Sequence, residues 1–180
     1  MTARRLFLSV FTAALLAAFG CSSGTDSVVF LCSDGGQAAA NVVNLSCAGA
    51  TGGTTEQVDV VLGGVATAST TLSGLNFDLT YDPLKLEFVP AGSYTSPLFP
   101  GALIAVTLFD GQPGRVVVSI QNTEGALVTV GAGQQPALSL SFRRVSGIQF
   151  PPTPVALENA EATGASTTIT FANGLSLSYQ

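Results

Sequence analysis

GLNFDLTYDPLKLEFV, residues Gly74–Val89, carries two alternating apolar runs that meet across a turn signal. In the first run Leu75, Phe77, Leu79 and Tyr81 fall on one side and Asn76, Asp78 and Thr80 on the other, the period of two that a strand requires. Asp82-Pro83 stops the run, because proline fixes φ and supplies no N–H while aspartate bonds its own backbone. Leu84, Leu86 and Phe88 then resume the alternation, with Lys85 and Glu87 facing the opposite way. Two strands of a sheet with one buried and one wet face follow. The wet face is where function is expected, since the sequence offers no obvious reactive group.

The same reading extends outward. Val58, Val60 and Leu62 alternate within Gln57–Val65, and Ile104, Val106 and Leu108 are in phase within Ala102–Phe109. Asp110-Gly111-Gln112-Pro113-Gly114 is a strong turn, after which Val116, Val118 and Ile120 point inward in Arg115–Asn122, so these two strands are expected to form a hairpin. Leu127–Val130 is short, and Ala137–Arg143 alternates at Leu138, Leu140 and Phe142. Pro151, Pro152 and Pro154 interrupt the chain and leave Val155–Leu157 as an edge strand, with a connection over Glu158–Ser166. Asn173-Gly174, between Ile169 and Phe171 before it and Leu175, Leu177 and Tyr179 after it, signals a second hairpin. About nine short strands without an amphipathic helix predict an all-β chain, with a β-sandwich preferred to a barrel.

Composition agrees. Only 9% of residues are charged, 47% are hydrophobic, and there are 20 Gly and 9 Pro, a balance of strand and turn formers. The formal charge of −5 excludes a phosphate-backbone partner, so no nucleic acid is expected. At 180 residues a single domain is expected.

The N-terminus reads as an export signal. Arg4 and Arg5 precede an apolar segment from Leu6 to Phe19 that is too short for a membrane span, and Gly20-Cys21 follows. The Gly-Cys junction resembles a bacterial lipoprotein cleavage site, with Cys21 as the acylated residue; ordinary signal cleavage nearby is the alternative. Ser22 and Ser23 after the cysteine favour an outer membrane if the cell has one. Removing residues 1–20 takes two arginines and no acids, which moves the formal charge from −5 to −7. In an oxidising compartment Cys32 and Cys47 are expected as a structural disulfide rather than a redox pair or metal site, there being no C-x-x-C and no His. The division is therefore a signal peptide over 1–20, a flexible tether with a disulfide loop over 21–56, and the sandwich over 57–180. Within the tether, Val28–Leu31 and Val42–Leu45 suggest a small hairpin knob, and Ala48–Thr55 is linker chemistry.

Catalysis is not expected. Without histidine neither a Ser-His nor a Cys-His nucleophile can be built, and the carboxylates nearest the central turn, Asp78 and Glu87, lack a surrounding acidic or aromatic subsite. Carbohydrate binding is the rival from another class: Tyr94, Phe99 and Phe150 fall in loops that could rim a small site, although loop aromatics usually cap a core, and outward strand positions carry no ring. Asp82 and Asp110 are turn formers before they are calcium ligands, so no metal and no cofactor are expected.

One family fits the order of these features. F-x-L-x-Y-D-P-x-x-L-x-F-x-x-x-G, here Phe77 to Gly92, followed by the alternating strand Gly114–Asn122, then Ala137–Val145 and a terminal strand, resembles the cohesin module of bacterial cell-surface assemblies over Gln57–Gln180. The resemblance implies a nine-stranded jelly-roll sandwich, related to that of some carbohydrate-binding modules, which presents a sheet face to a dockerin module. The matching face strands are Leu75–Tyr81, Ala102–Leu108, Val116–Gln121 and Ala137–Arg143. With their outward residues, the expected partner-binding set is Asn76, Asp78, Thr80, Ser119, Gln121, Ser139, Ser141 and Arg143, together with Val117, and with Asp78 and Arg143 as charged anchors. The plain alternative is that these residues are only the solvated side of a sheet. The expected partner is a dockerin-like module or another cell-surface protein, or a polysaccharide in the rival reading, with the membrane reached only through a lipid anchor. A structural role in a surface assembly is the third reading.

Overall fold

The computed structural model of the chain describes residues 29–34, 38–48, 53–64, 70–172 and 174–180. The expectations for the signal peptide and for Cys21 fall outside them. The described residues form thirteen strands in order: β1 (Phe30–Ser33), β2 (Val42–Cys47), β3 (Thr55–Gly64), β4 (Thr71–Leu72), β5 (Gly74–Tyr81), β6 (Leu86–Val89), β7 (Leu103–Leu108), β8 (Arg115–Gln121), β9 (Val128–Thr129), β10 (Gly133–Arg144), β11 (Phe150–Thr163), β12 (Thr170–Phe171) and β13 (Leu175–Tyr179). A six-stranded sheet runs β1-β13-β11-β5-β8-β7, a five-stranded sheet runs β12-β2-β3-β10-β6, and β4 pairs with β9. Neighbours are antiparallel except β12 and β2.

The alternation read in the sequence places the core. Leu75, Phe77 and Leu79 of β5 and Val116, Val118 and Ile120 of β8 are buried, and they face Val58, Val60, Leu138, Leu140 and Phe142 of the other sheet. Phe142 holds the middle of an aromatic run, edge-on to both Tyr81 and Phe88. The result is the expected all-β sandwich.

Between β5 and β6 the chain does not turn back on itself. β5 lies in the six-stranded sheet and β6 in the five-stranded one, so Asp82–Lys85 is an arch that carries the chain across the core. Asp82 builds it. Its Oδ1 accepts from Leu84 N at 2.9 Å, and its carbonyl accepts from Lys85 N and Leu86 N. That tight turn pushes Leu84, expected in phase with Leu86 and Phe88, out to 76% exposure.

Three further expectations are corrected. The first concerns the tether, because part of residues 21–56 is sandwich: β1 pairs with β13 and β2 with β3, in different sheets, so there is no hairpin knob. Phe30, Val43 and Leu45 are fully buried, which a two-stranded knob could not have achieved. The Cys32–Cys47 disulfide is present and joins the two sheets.

The second concerns Val155–Leu157, which is no edge. It is the middle of β11, a strand of 14 residues set between β13 and β5. Pro151, Pro152 and Pro154 are tolerated because β5 joins only from Val155 onward, so the prolines lie where β11 is paired on one side, beside a register shift between Phe150 and Thr153. Third, the strands flanking Asn173-Gly174 are not a hairpin, since β12 and β13 belong to opposite sheets. Gly174, at φ 34°, passes so close to the Val155 carbonyl that a Cβ would overlap it.

Candidate partner-binding face

The outer side of the six-stranded sheet is built by β7, β8, β5 and β11, and register assigns its rows. Leu103 lies opposite Gln121, which lies opposite Gly74; Ala105, Ser119, Asn76 and Glu161 form the next row; Thr107, Val117, Asp78 and Glu158 the third. Arg115 and Thr80 form a fourth row, closed by Ala156.

These side chains are bonded sideways to one another. Asn76 Oδ1 accepts from Ser119 Oγ at 2.7 Å and from Gln121 Nε2 at 3.2 Å. Thr80 Oγ1 donates to Glu158 Oε1 at 3.3 Å. Asp78, only 5% exposed, accepts from Arg115 Nη2 and, at 2.6 Å, from Asn159 Nδ2. Arg115 also donates to Gln112 at 2.8 Å and lies over the Phe109 ring, 4.8 Å from its centroid. Asn159 reaches Asp78 because the register of β11 shifts between Glu158 and Glu161 and sets Asn159 in the left-handed region at φ 47°. The carboxylates of Asp78, Glu158 and Glu161 against the single Arg115 make the β11 side of this face acidic. On the β7 side, Leu103, Ala105 and Thr107 make an uncharged, exposed margin.

Of the predicted residues, Asn76, Asp78, Thr80, Ser119 and Gln121 share this face, as does Val117. Ser139, Ser141 and Arg143 do not. They belong to β10, on the outer side of the opposite sheet, because β10 pairs with β3 and β6. There Ser139 Oγ donates to Asp59 at 2.6 Å, and Arg143 makes two hydrogen bonds to Glu87, at 2.8 and 2.6 Å, which hold that carboxyl below its ordinary range. Asp78 and Arg143 therefore cannot anchor one partner together, and Asp78 is spent within the sheet.

Sequence reasoning missed Arg115, Glu158, Asn159 and Glu161. Arg115 lies in phase with Val117 and Ser119, so the alternation carried the signal; the β11 residues were hidden by the prolines before them. Phe99 and Phe150 do not rim a sugar site: both are buried, and Phe150 packs edge-on to Phe30. Asp82 is a turn former whose carboxyl is held low by the Leu84 N–H and by Lys85, 3.1 Å away. Among the described residues no group of three or more metal-ligating side chains comes together.

Comparison with known structures decides the fold. The sixth cohesin of Acetivibrio cellulolyticus scaffoldin B, solved with a mutant Cel5 dockerin, superposes at a TM-score of 0.55 with 18% identity, over 74% of this chain and 94% of that one. The chain has a cohesin-like fold. The Clostridium thermocellum OlpC cohesin in its complex with Doc435 gives 0.52 at 13% identity over 79% of this chain and 96% of that one. The solution structure of CaCohA2 from Clostridium acetobutylicum gives 0.50 at 13% identity, over 74% and 87%. No family model matches the sequence, and no curated protein does. The cohesin-like sandwich corrects the face drawn from sequence in one strand: β11 stands where Ala137–Arg143 was expected.

Proposed function

We propose that the chain is an exported, non-catalytic binding module that captures a protein partner, a dockerin-type module, on the outer face of β7, β8, β5 and β11. The observation that carries this reading is the laterally bonded face itself: Asn76 with Ser119 and Gln121, Thr80 with Glu158, and Asp78 with Arg115 and Asn159 are fixed before any partner arrives. A face so arranged loses little side-chain entropy on association. The similar cohesins from Acetivibrio cellulolyticus and Clostridium thermocellum were solved bound to dockerins, which supports the choice of partner class. An acidic β11 side favours a partner with basic residues at that edge. The export and lipid anchoring expected from residues 1–21 fit a surface-tethered capture module.

The test is binding of purified, calcium-loaded dockerin modules to the full chain, repeated in chelator. Glu161→Arg, on this face, is expected to abolish capture, whereas Ser139→Arg, on the opposite sheet, leaves it unchanged. Loss of capture with Ser139→Arg alone, or capture by neither face, would sink the reading.

A further inference from the structure

β7 ends the six-stranded sheet, and among the described residues no strand pairs with its outer side. In the ladder with β8, Phe109 N donates to Arg115 O at 3.1 Å, so by alternation Leu103, Ala105 and Thr107 also bond toward β8. The backbone N–H and C=O groups of Ile104, Val106 and Leu108 therefore point to the open edge, where no described strand pairs with them. Such an edge is a template for another strand unless a charge, a proline, a bulge or extreme shortness blunts it. The described edges of the other sheet are blunted: β6 carries Glu87 and stops before Pro90, and β12 has two residues. β7 has six residues and none of these devices, and no ionisable side chain occurs anywhere in Thr95–Phe109. It also leaves apolar surface wet on both faces, with Leu103 at 70%, Leu108 at 46% and Phe109 at 45% exposure, and Ile104 and Val106 half-buried.

We infer that β7 pairs antiparallel with β7 of a second copy of this chain about a two-fold axis at Val106, joining two six-stranded sheets into one. Strand geometry selects that register. Residues directly opposite must share a face and, to be hydrogen-bonded, must both point to the edge; centring on Val106 sets Ile104 opposite Leu108 of the second copy, and gives on the order of six backbone hydrogen bonds. The same register sets Leu103 opposite Phe109 of the second copy and Ala105 opposite Thr107. The three most exposed apolar side chains of this edge, Leu103, Leu108 and Phe109, are then each covered by an apolar neighbour across the axis. An acidic chain of net charge −5 meets its own copy more readily along the uncharged, unpaired edge at Thr95–Phe109 than along the acidic β11 side of the same sheet. The pairing does not depend on which partner the outer face captures. It sets two such faces side by side in one continuous surface, so a partner bearing two modules would bind with avidity.

The test is sedimentation equilibrium of the full chain, Cys32–Cys47 intact and Cys21 alkylated, beside Val106→Pro and Leu103→Lys. Val106 sends its N–H outward, so proline there costs the monomer no ladder bond, and Leu103 is exposed, so lysine leaves the core alone. A concentration-dependent dimer in the native chain is expected, with the dissociation constant raised at least about tenfold in both variants and their thermal unfolding retained. A native chain that stays monomeric at about 100 μM, where a contact worth more than about 5.5 kcal/mol would associate, would overturn the inference. Equal association of all three proteins would overturn it too, because the contact would then lie elsewhere.

Discussion

The Asp78 carboxylate lies beneath the Arg115 guanidinium and receives the Asn159 amide from the neighbouring strand, so three strands of one sheet converge on a nearly buried acid. Without it, Arg115 Nη2 and the left-handed Asn159 both lose this acceptor, and Arg115, whose side chain is 29% exposed, keeps only Gln112. Asp78→Ala is expected to cost about 2 kcal/mol, and Asp78→Asn, which keeps an acceptor, distinctly less. Urea unfolding of the two variants checks this; equal losses would mean that the packing and not the hydrogen bonds of Asp78 matters.

The bond between Cys32 and Cys47 closes a 15-residue separation and ties β1 to β2 across the sandwich. In the chain-entropy account a loop of that length contributes about 3 kcal/mol. Double replacement by serine is expected to lower stability by about that amount in denaturant titrations. Reductant should shift the midpoint of the native chain toward that of the variant and leave the variant where it is.

Glu56 lies inside β3 at 3% exposure, in register with Phe142, and burial pushes its carboxyl above the ordinary 4.5. A raised native value means that the folded chain holds this proton more tightly than the unfolded one. Its stabilising contribution is complete below pH 4.5 and is lost as pH rises through the native value. Glu56→Gln is therefore expected to melt higher than the native chain at pH 7 and to lose that advantage near pH 4, as followed by circular dichroism.

Gly174 is held at positive φ against the Val155 carbonyl, where the chain crosses between sheets. Gly174→Ala adds strain and a backbone clash together, and a loss of more than about 2 kcal/mol is expected. A near-neutral substitution would show that β13 can shift away from β11 without penalty.

Period-two alternation made the strands legible, since Leu75, Phe77 and Leu79, or Val116, Val118 and Ile120, can be buried together in only one way. It carries no record of which sheet a strand joins. For that reason the arch at Asp82 and the crossing at Gly174 were hidden, and Arg143 was set beside Asp78 although their strands lie in different sheets. β11 was hidden by its prolines, which look like breakers until one-sided pairing shows that they cost no ladder bond. The disulfide pair was legible from the expectation of export and the absence of a C-x-x-C. Its span across both sheets was not, because the apolar runs Val28–Leu31 and Val42–Leu45 read as a small hairpin of their own.

β1 lies beside β13, with Val29 N donating to Gln180 O at 2.9 Å, so residues 29 and 180 leave the sheet together at one end. Tension applied between them peels this ladder one rung at a time, the weak direction for a pair of strands. Along β1 it travels only as far as Cys32. From there the load crosses the covalent bridge to Cys47, in the other sheet, and the chain between the two cysteines carries none of it. The disulfide is thus a mechanical stop for β1, which can peel by only its first rungs before the load on it passes to both sheets at once.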